Sequence, residues 1–377
     1  MKIFLSAGEL SGDLHAGAIA KEIKKLDASS EICGMGGEAL RQAGGRVLFD
    51  IAQNSVMGFW EVLTHLPQLY KLIYKDFPKA FEEENPDCLV TIDYPDFNMR
   101  IAKIAHTMGI PVVCFIPPGA WAWRRGRAKD VAKFATRVAT IFPFEDEVYR
   151  QAGAATTFVG HPLLDIATIS MPKNELITFC GKRVGHPLIL LLPGSRLMEI
   201  RKLLPVLLGA AKILQQKHPE FDFVLPRAST ISQDLLQAEI SRSGLSVRIT
   251  EGNNYDLFSA ADLALATSGT VTLEAALMGL GSVICYRTGW LNAFIARHLI
   301  ALPPYIGLPN IVAGRGILPE LLQEDCTPQK IALAAEELLE PVRNAKMHRD
   351  LEEVRKNLGD KGATKRVAEL ILNKGKV

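Results

Sequence analysis

The sequence predicts an α/β protein made of two doubly wound domains with parallel sheets. Short apolar strands alternate with longer amphipathic stretches along almost all of its 377 residues, a length that suits two domains. Strand–helix alternation at this spacing indicates βαβ units. In each half, a strand ends in a glycine-containing turn that leads directly into a helix. Ligands of doubly wound sheets bind beyond the carboxyl ends of the strands, so two such domains facing each other would form a cleft.

The predicted strands form two groups with a polar stretch, residues 165–186, between them. They are residues 2–7, 31–34, 46–50, 87–93, 111–116, 138–142 and 156–159, then 187–193, 221–226, 246–251, 262–266 and 281–286. We therefore expect an N-terminal domain over residues 1–170 and a second domain over residues 185–340. Residues 341–377 are charged, have a helical period and contain no strand. We expect them to pack as helices back on the N-terminal domain.

Composition limits the possible partners. The net charge of +2 gives no overall field for nucleic acid, so an anionic ligand must be bound locally. The six cysteines are scattered without a Cys-x-x-Cys pair, and no histidine has metal-ligand spacing, so we expect neither disulfides nor a metal site. The N-terminal apolar stretch is too short for a signal peptide, and no segment approaches the roughly 20 apolar residues of a membrane span. A cytoplasmic protein is the expectation.

The turn after the first strand contains Gly8, Glu9, Ser11, Gly12 and Asp13. The glycines permit a tight turn, and Ser11 or Asp13 can cap the following helix. Glu9 would repel a phosphate, but it can accept hydrogen bonds from sugar hydroxyls. A capped turn with an incidental glutamate remains the alternative.

Two carboxylates follow strand 87–93, separated by a proline. Asp93 at the strand end can act as a general base where the site removes water from its carboxylate. Asp96 can instead cap the helix that starts near Phe97. We therefore assign the catalytic role to Asp93 and the structural role to Asp96.

The second half contains the groups expected to bind an anionic, sugar-containing ligand. Free N–H groups at a helix N-terminus favour an anion, and a guanidinium suits phosphate oxygens. A glutamate one turn into a helix can receive ribose hydroxyls, and an asparagine can both donate and accept. The candidate residues are Gly194, Ser195, Arg196, Ser268, Gly269, Thr270, Glu274 and Asn310. A helix cap beside a solvated arginine is the alternative for Gly194–Arg196.

Two segments are candidates for contact with a lipid surface. Residues 57–77 form an apolar stripe wider than a core-facing helix needs, with lysines on another face. Residues 121–129 combine two tryptophans with four cations. The candidate docking residues are Met57, Phe59, Trp60, Leu63, Leu69, Arg124, Arg125 and Arg127. An ordinary packed helix and core tryptophans beside a solvated face are the alternatives.

Taken together, the motifs resemble those of the lipid-A-disaccharide synthases, inverting glycosyltransferases of Gram-negative outer-membrane biosynthesis. The matching residues are Gly8-Glu9-x-Ser11-Gly12-Asp13, Val56-Met57-Gly58, Glu61-Val62-Leu63, Ile92-Asp93-x-Pro95-Asp96-Phe97-Asn98, Trp121-Ala122-Trp123-Arg124, Phe142-Pro143-Phe144-Glu145, Phe158-Val159-Gly160-His161, Leu191-Leu192-Pro193-Gly194-Ser195-Arg196, Ser268-Gly269-Thr270, Leu273-Glu274, Tyr286-Arg287, Leu308-Pro309-Asn310 and Ala313-Gly314-Arg315. The family's usual Ser-Pro-Ser-Val is replaced by Pro117–Ala120, which removes two hydroxyls.

The resemblance implies a glycosyltransferase-B fold of two Rossmann-like domains across a cleft. It implies transfer of 2,3-diacylglucosamine from UDP-2,3-diacylglucosamine to 2,3-diacylglucosamine 1-phosphate, giving a β-1,6 disaccharide and UDP. By position, Asp93 matches the general base and Arg196 an essential arginine, whereas Glu9, Glu274 and Asn310 match active-site or nucleotide-binding residues. UDP-sugar is then a substrate, and no cofactor is expected. Residues 57–77 match a surface that docks on the anionic inner membrane. A homodimer is one of the expected assemblies.

Two other functions fit part of the sequence. A UDP-sugar 2-epimerase or a soluble sugar transferase would share the fold, but neither needs the apolar stripe or the tryptophan–arginine loop. A lipid- or nucleotide-binding membrane adaptor without catalysis would keep the surface and form no product.

Overall fold

A computed structural model describes residues 1–51, 67–120, 126–183, 185–288 and 304–373 of the chain. The chain divides into two compact units, Met1–Asp165 together with Gly359–Val377, and Ile166–Leu358. Each unit is a parallel sheet with helices in the connections between its strands. The predicted fold class, two Rossmann-like α/β units with helices at the C-terminal end, is confirmed.

The strands form one sheet in each unit, and every strand pair is parallel. The first sheet has the order β3-β2-β1-β4-β5-β6-β7, and the second has the order β10-β9-β8-β11-β12-β13. The strands are β1 Lys2–Ala7, β2 Glu31–Gly36, β3 Arg46–Asp50, β4 Cys88–Ile92, β5 Val112–Phe115, β6 Arg137–Thr140, β7 Thr156–Phe158, β8 Leu188–Leu192, β9 Asp222–Arg227, β10 Arg248–Glu251, β11 Leu263–Thr267, β12 Ser282–Tyr286 and β13 Glu320–Leu322.

Helices connect these strands, as βαβ units require. They are α1 Leu10–Leu26, α2 Glu38–Gln42, α3 Phe77–Glu84, α4 Pro95–Thr107, α5 Gly126–Phe134, α6 Pro143–Gln151, α7 Leu163–Ile166, α8 Lys173–Cys180, α9 Leu197–Lys217, α10 Gln233–Ser243, α11 Asn254–Ala260, α12 Thr270–Leu277, α13 Leu308–Ala313, α14 Pro328–Leu339, α15 Pro341–Asn357 and α16 Ala363–Leu372. A π-helical turn, Leu72–Asp76, precedes α3, and a 3₁₀ turn, Gln323–Asp325, follows β13.

The strand order reverses once in each sheet, and these switch points determine where ligands can bind. In the first sheet β1 lies beside β4, with Ala7 opposite Ile92. In the second sheet β8 lies beside β11, with Leu192 opposite Ala266. At a reversal the connecting helices leave on opposite faces, which opens a crevice beyond the carboxyl ends of the strands. The turns after these four strands contain most of the predicted site residues.

The C-terminal helices divide between the two units. α16 packs against α1 in the first unit. α15 lies in the second unit, where it packs against α12, α13 and α14. The prediction that residues 341–377 return together to the N-terminal domain therefore needs correction. Because Met347, Leu351 and Val354 of α15 are buried, that helix closes the second core before the chain returns.

The cysteine side chains lie in the interior of the protein. All six cysteines are free and buried. Within the described ranges, no helix has both the length and the apolarity to span a membrane.

Ile371 tests how strongly α16 stabilises the first unit, because its side chain is fully buried. We expect Ile371→Ala to lower the free energy of unfolding of this unit by about 2–5 kcal/mol, since it leaves a cavity. Hydrogen exchange of α1, measured by mass spectrometry, should become faster. Glu369→Ala on the exposed face of α16 is the control and should change little. Equal effects of the two substitutions would contradict a packing role for α16.

Candidate active site

Asp93 lies in a turn with an unusual backbone conformation at the end of β4. Asp93 and Tyr94 both have positive φ angles, 49° and 50°, a region that residues other than glycine rarely adopt. The Asp93 N–H donates to the carbonyl of Phe115, the last residue of β5, over 3.1 Å. Strain of this kind persists only where neighbouring contacts hold it, and such strain is common at functional sites.

Asn98 on α4 supplies those contacts. Its side chain is buried, and its Nδ2 donates to the carbonyls of Asp93 at 2.7 Å and of Ile92 and Ser6 at 3.2 Å each. Its Oδ1 accepts from Ser6 Oγ at 2.7 Å. Asn98 thus connects the ends of β1 and β4 and holds the turn that presents Asp93.

The protein around Asp93 makes its carboxylate a better base. The side chain keeps access to solvent, but the surrounding turn and strands displace much of its hydration. This burial raises the pKa of Asp93, and a hydrogen bond from the Tyr94 backbone opposes the shift only in part. A raised pKa is the property that a carboxylate needs to accept a proton from a hydroxyl.

Glu9 follows β1 at the same edge of the sheet as Asp93, because Ala7 and Ile92 pair across β1 and β4. Glu9 is the exposed N-cap residue of α1, and its side chain makes no capping hydrogen bond. The ring of Tyr94 packs so closely on Gly8 that a Cβ there would collide with it. Burial raises the pKa of Tyr94, and the charge of Glu9 adds to the shift. Glu9 thus keeps an exposed carboxylate that can accept hydroxyl groups.

Asp13 has a different role from the predicted one. Neither it nor Ser11 caps α1; both lie within that helix. The buried Asp13 carboxylate accepts N–H groups of Gly37 at 2.6 Å, Ala39 at 2.9 Å and Leu40 at 3.2 Å. It therefore caps the start of α2 and connects α1 to β2.

Asp96 likewise does not cap α4, whose N-cap residue is Tyr94. Its exposed carboxylate pairs with Arg127, whose own side chain is only 15% exposed. This ion pair favours a structural role for Arg127 over the predicted binding of lipid headgroups.

In the second unit, a cavity of about 430 Å³ lies at the switch point beside β8 and β11. Its lining combines the turn after β8, the turn after β11, the end of β9 and residues of α11. The predicted ligand-binding residues among its walls are Gly194, Ser195, Arg196, Ser268, Gly269, Thr270 and Glu274. Two separate stretches of sequence thus meet at one cavity of the second unit.

The turn after β8 is already occupied by a carboxylate of the protein. Glu199 Oε2 accepts the N–H of Ser195 at 3.1 Å and the N–H of Arg196 at 3.3 Å. Its Oε1 lies 3.5 Å from Arg196 Nη1. Gly194 has a φ of 114°, and a Cβ there would collide with the Glu199 carboxylate. This glycine therefore accommodates both the turn and the acid.

The turn after β11 has no such cap. Gly269 is the N-cap residue of α12, so the cap position carries no side chain that could accept the first N–H groups. Ser268 Oγ instead donates to the Ile306 carbonyl at 3.1 Å. Thr272 Oγ1 donates to the Gly269 carbonyl at 2.8 Å. Within the described residues, no side chain caps the first N–H groups of α12, which are suited to an anion in the cavity.

Glu274 reaches the cavity from the first turns of α12. Tyr255 Oη donates to Glu274 Oε1 at 2.9 Å and fixes the orientation of the carboxylate. Burial raises the pKa of Glu274, and the Tyr255 hydroxyl partly counteracts this. The remaining lone pairs of Glu274 can accept hydroxyl groups of a ligand.

Asn310 does not line this cavity and has no capacity left for a ligand. Its Nδ2 donates to the Leu318 carbonyl at 2.8 Å and to Glu320 Oε1 at 2.7 Å. Its Oδ1 accepts the N–H groups of Ile317 and Leu318, each at 2.9 Å. The predicted nucleotide-binding role is therefore wrong for direct contact, because all four hydrogen-bonding positions are used internally.

Asn310 instead organises the loop that supports Ser268. Glu320, its partner, also accepts the N–H groups of Ile306 at 2.9 Å and Gly307 at 3.0 Å. The carbonyl of that same Ile306 accepts from Ser268. Asn310 thus acts on the cavity through Glu320 and the loop.

Most of the predicted lipid-docking residues lie outside the described part of the chain: Met57, Phe59, Trp60, Leu63, Arg124 and Arg125. Leu69 is partly buried and packs on the core of the first unit. Next to it, Tyr70 and Tyr74 are 62% and 44% exposed, with ring centroids 4.6 Å apart.

Sequence reasoning missed three residues of the second-unit site. Glu199 follows Arg196 at the spacing of a helix capping box, which is a usable signal. Tyr255 and Arg227 have no local motif; Arg227 lines the cavity and pairs with Glu251. Only the packing of α11 and β9 beside β8 and α12 brings these two residues to the site.

Comparison with known proteins identifies relatives of the whole chain. Residues 3–373 match the family model described as lipid-A-disaccharide synthetase. The lipid-A-disaccharide synthase of Geobacter metallireducens is 39% identical over 372 residues, 98% of this chain and 96% of that protein. The enzyme of the same name from Nitrosococcus oceani is 40% identical over 369 residues, 98% of this chain and 95% of its own.

Solved structures share the fold at low identity. UDP-GlcNAc 2-epimerase from Neisseria meningitidis, bound to UDP-GlcNAc, has a TM-score of 0.69 at 14% identity, over 99% of this chain and all of its own. The Methanocaldococcus jannaschii UDP-GlcNAc 2-epimerase, in complex with UDP-GlcNAc and UDP, has a TM-score of 0.63 at 13% identity, with the same coverage. These likenesses show the fold alone.

The pKa of Glu274 gives a test of the cavity wall. A carboxyl group whose pKa is raised in the folded state destabilises the protein once it is ionised. This loss of stability develops as the pH rises from the ordinary pKa of the group through the raised pKa. We expect Glu274→Gln, which keeps an acceptor for Tyr255, to raise the melting temperature at pH 7 and to lose this advantage below about pH 4. Tyr255→Phe should instead destabilise the protein by about 1 kcal/mol at pH 7. Calorimetry at pH 7 and below about pH 4 measures the melting temperatures of both variants. A lower melting temperature of Glu274→Gln at pH 7 would contradict this account.

Proposed function

The chain belongs to the lipid-A-disaccharide synthetase family, and we propose that it transfers 2,3-diacylglucosamine from UDP-2,3-diacylglucosamine to 2,3-diacylglucosamine 1-phosphate. Membership makes it a glycosyltransferase of lipid A biosynthesis. The two diacylated substrates, the β-1,6 linkage and inversion at the anomeric carbon are parts of the proposal.

The proposed donor site is supported by the cavity at the switch point beside β8 and β11. Its walls offer uncapped N–H groups at the start of α12, the guanidinium of Arg196 and the carboxylate of Glu274. N–H groups and a guanidinium suit a diphosphate, and an oriented carboxylate suits ribose hydroxyls. The UDP part of the donor uses all three.

The chemistry proposed for Asp93 follows from its raised pKa. Its carboxylate accepts the proton of the acceptor 6-hydroxyl as that oxygen attacks the anomeric carbon of the donor. The bond from that carbon to the diphosphate breaks, and UDP leaves with the electron pair. Arg196 and the N–H groups of α12 stabilise the charge that develops on the diphosphate. Glu9 accepts hydrogen bonds from hydroxyls of the acceptor sugar.

No metal or organic cofactor takes part in the proposed reaction, and the UDP-sugar is a substrate. Among the described residues, no cluster of His, Cys, Asp and Glu is arranged to hold a metal ion. Product formation in the presence of a chelator tests this directly.

Asp93→Asn tests the base. We expect kcat to fall by about 10²–10⁴-fold, because the amide cannot accept the proton. The affinity for UDP should stay unchanged, since Asp93 does not line the donor cavity. In the unsubstituted enzyme kcat/KM should fall on acidification, with a midpoint above the ordinary aspartate pKa of about 3.9. The measurement is disaccharide and UDP release from the two purified substrates, and near-normal turnover of a folded Asp93→Asn protein would exclude this role.

The same assay separates the competing functions. A UDP-sugar 2-epimerase would convert UDP-GlcNAc to its 2-epimer without an acceptor, and a non-catalytic adaptor would release no UDP from either substrate. Disaccharide formation that depends on both substrates supports the transferase.

We also propose that the protein works in the cytoplasm at the anionic surface of the inner membrane, through residues 57–77 of the first unit. The exposed Tyr70 and Tyr74 stand beside Lys71 and Lys75, a combination that suits a lipid interface. Its acyl-chain-bearing substrates reside in such a membrane. A homodimer remains compatible with this arrangement.

Vesicle co-sedimentation tests the membrane contact. We expect binding to phosphatidylglycerol-containing vesicles, weakened several-fold by 0.5 M salt and by Tyr70→Glu with Tyr74→Glu. The control places two glutamates at Leu333 and Val342, which are 55% and 82% exposed on the second unit. Equal loss in both double variants would argue against a surface confined to residues 57–77.

A further inference from the structure

The turn after β8 and the turn after β11 differ in whether a side chain accepts their N–H groups. Both lead into a helix N-terminus, and both line the cavity. In the described part of the chain no side chain caps α12, whereas the N–H groups of Ser195 and Arg196 both donate to Glu199 Oε2. One anion-binding turn is therefore open, and the other holds an anion supplied by the chain itself.

The contacts of Glu199 involve the groups that a diphosphate would use in this turn. Its two oxygens contact the N–H groups of the turn and the Arg196 guanidinium at 3.1–3.5 Å. Gly194 leaves no room for a Cβ beside the same carboxylate. The Arg196 side chain is 84% exposed, and its ion pair with Glu199 is the contact that orients it among the described residues. The Glu199 carboxylate therefore takes up the same N–H groups and guanidinium that suit a phosphate.

We propose that Glu199 is an internal competitor of the donor diphosphate and thereby sets the affinity of the enzyme for UDP and its sugar donor. This rests on the proposed function, which places UDP in the cavity. A carboxylate and a diphosphate cannot share two N–H groups, because like charges at this distance repel. The carboxylate leaves the turn when the donor binds, and Arg196 exchanges it for phosphate oxygens. Its return assists the departure of UDP after transfer.

A purely structural Glu199 predicts the opposite result. If the acid only caps α9 and shapes the turn, its removal loosens Gly194–Arg196 and weakens UDP binding. If it competes, loss of its negative charge weakens its hold on the N–H groups and on Arg196, and UDP binds more tightly. The sign of the change in affinity separates the two roles.

Isothermal titration of UDP into the full-length protein gives that sign. We expect Glu199→Gln to lower the Kd for UDP about 3–10-fold and to strengthen product inhibition by UDP in turnover by a similar factor. Glutamine keeps an oxygen that can accept the turn N–H groups, so folding should be preserved. Glu175→Gln is the control, because Glu175 lies in the first turn of α8 in the same unit and does not line the cavity.

The outcomes separate this proposal from the function on which it rests. Tighter binding in Glu199→Gln but not in Glu175→Gln supports the competitor role. An unchanged or higher Kd in a folded Glu199→Gln protein overturns it and leaves the donor site intact. Absence of UDP binding by the unsubstituted protein and by both variants would instead reject the donor site itself.

Discussion

The reversal of strand order beside β1 and beside β8 is the constraint on which both candidate sites depend. Because β1 pairs with β4, and β8 with β11, the turns after these strands reach the same edge of each sheet. Residues far apart in sequence, such as Gly194 and Thr270, then line one cavity. No special local sequence is needed to bring them together, since parallel pairing of apolar strands does so.

The two sites solve different electrostatic problems on this common frame. Under the proposed function, the first unit needs a more basic carboxylate, and partial removal of hydration raises the pKa of Asp93. The strained turn that places it there is stabilised by the four hydrogen bonds of Asn98. In the second unit, negative charge must be attracted, and helix N-termini with Arg196 do this. Neither unit needs a large net charge, which agrees with the overall value of +2.

The sequence was sufficient to predict the elements and the edges of the sheets where ligands bind. Apolar runs such as residues 188–192 are buried along their whole length, so the pattern and the packing agree. The three-residue strand β13 was missed because Glu320–Leu322 is too short to carry a period. The sequence does not reveal the polar networks. Asp13 is a candidate cap for α1 in sequence, yet its carboxylate accepts N–H groups at the start of α2. Asn310 is a candidate ligand-binding residue, yet its amide is satisfied by Ile317, Leu318 and Glu320. Their partners are defined only by the tertiary fold.

The turn after β8 also depends on a contact that a local sequence pattern does not show. A helix N-terminus offers a small number of N–H groups, and whatever accepts them excludes another acceptor. The sequence shows the donors at Gly194–Arg196, but their occupancy depends on where an acid three residues further along places its carboxylate. Since Glu199 accepts these N–H groups, the chain itself orders the turn. Under the proposed competition, the turn gives up part of its affinity for a ligand in return. If UDP is the product, as proposed, this compromise favours turnover, because binding energy retained for the product would slow its release.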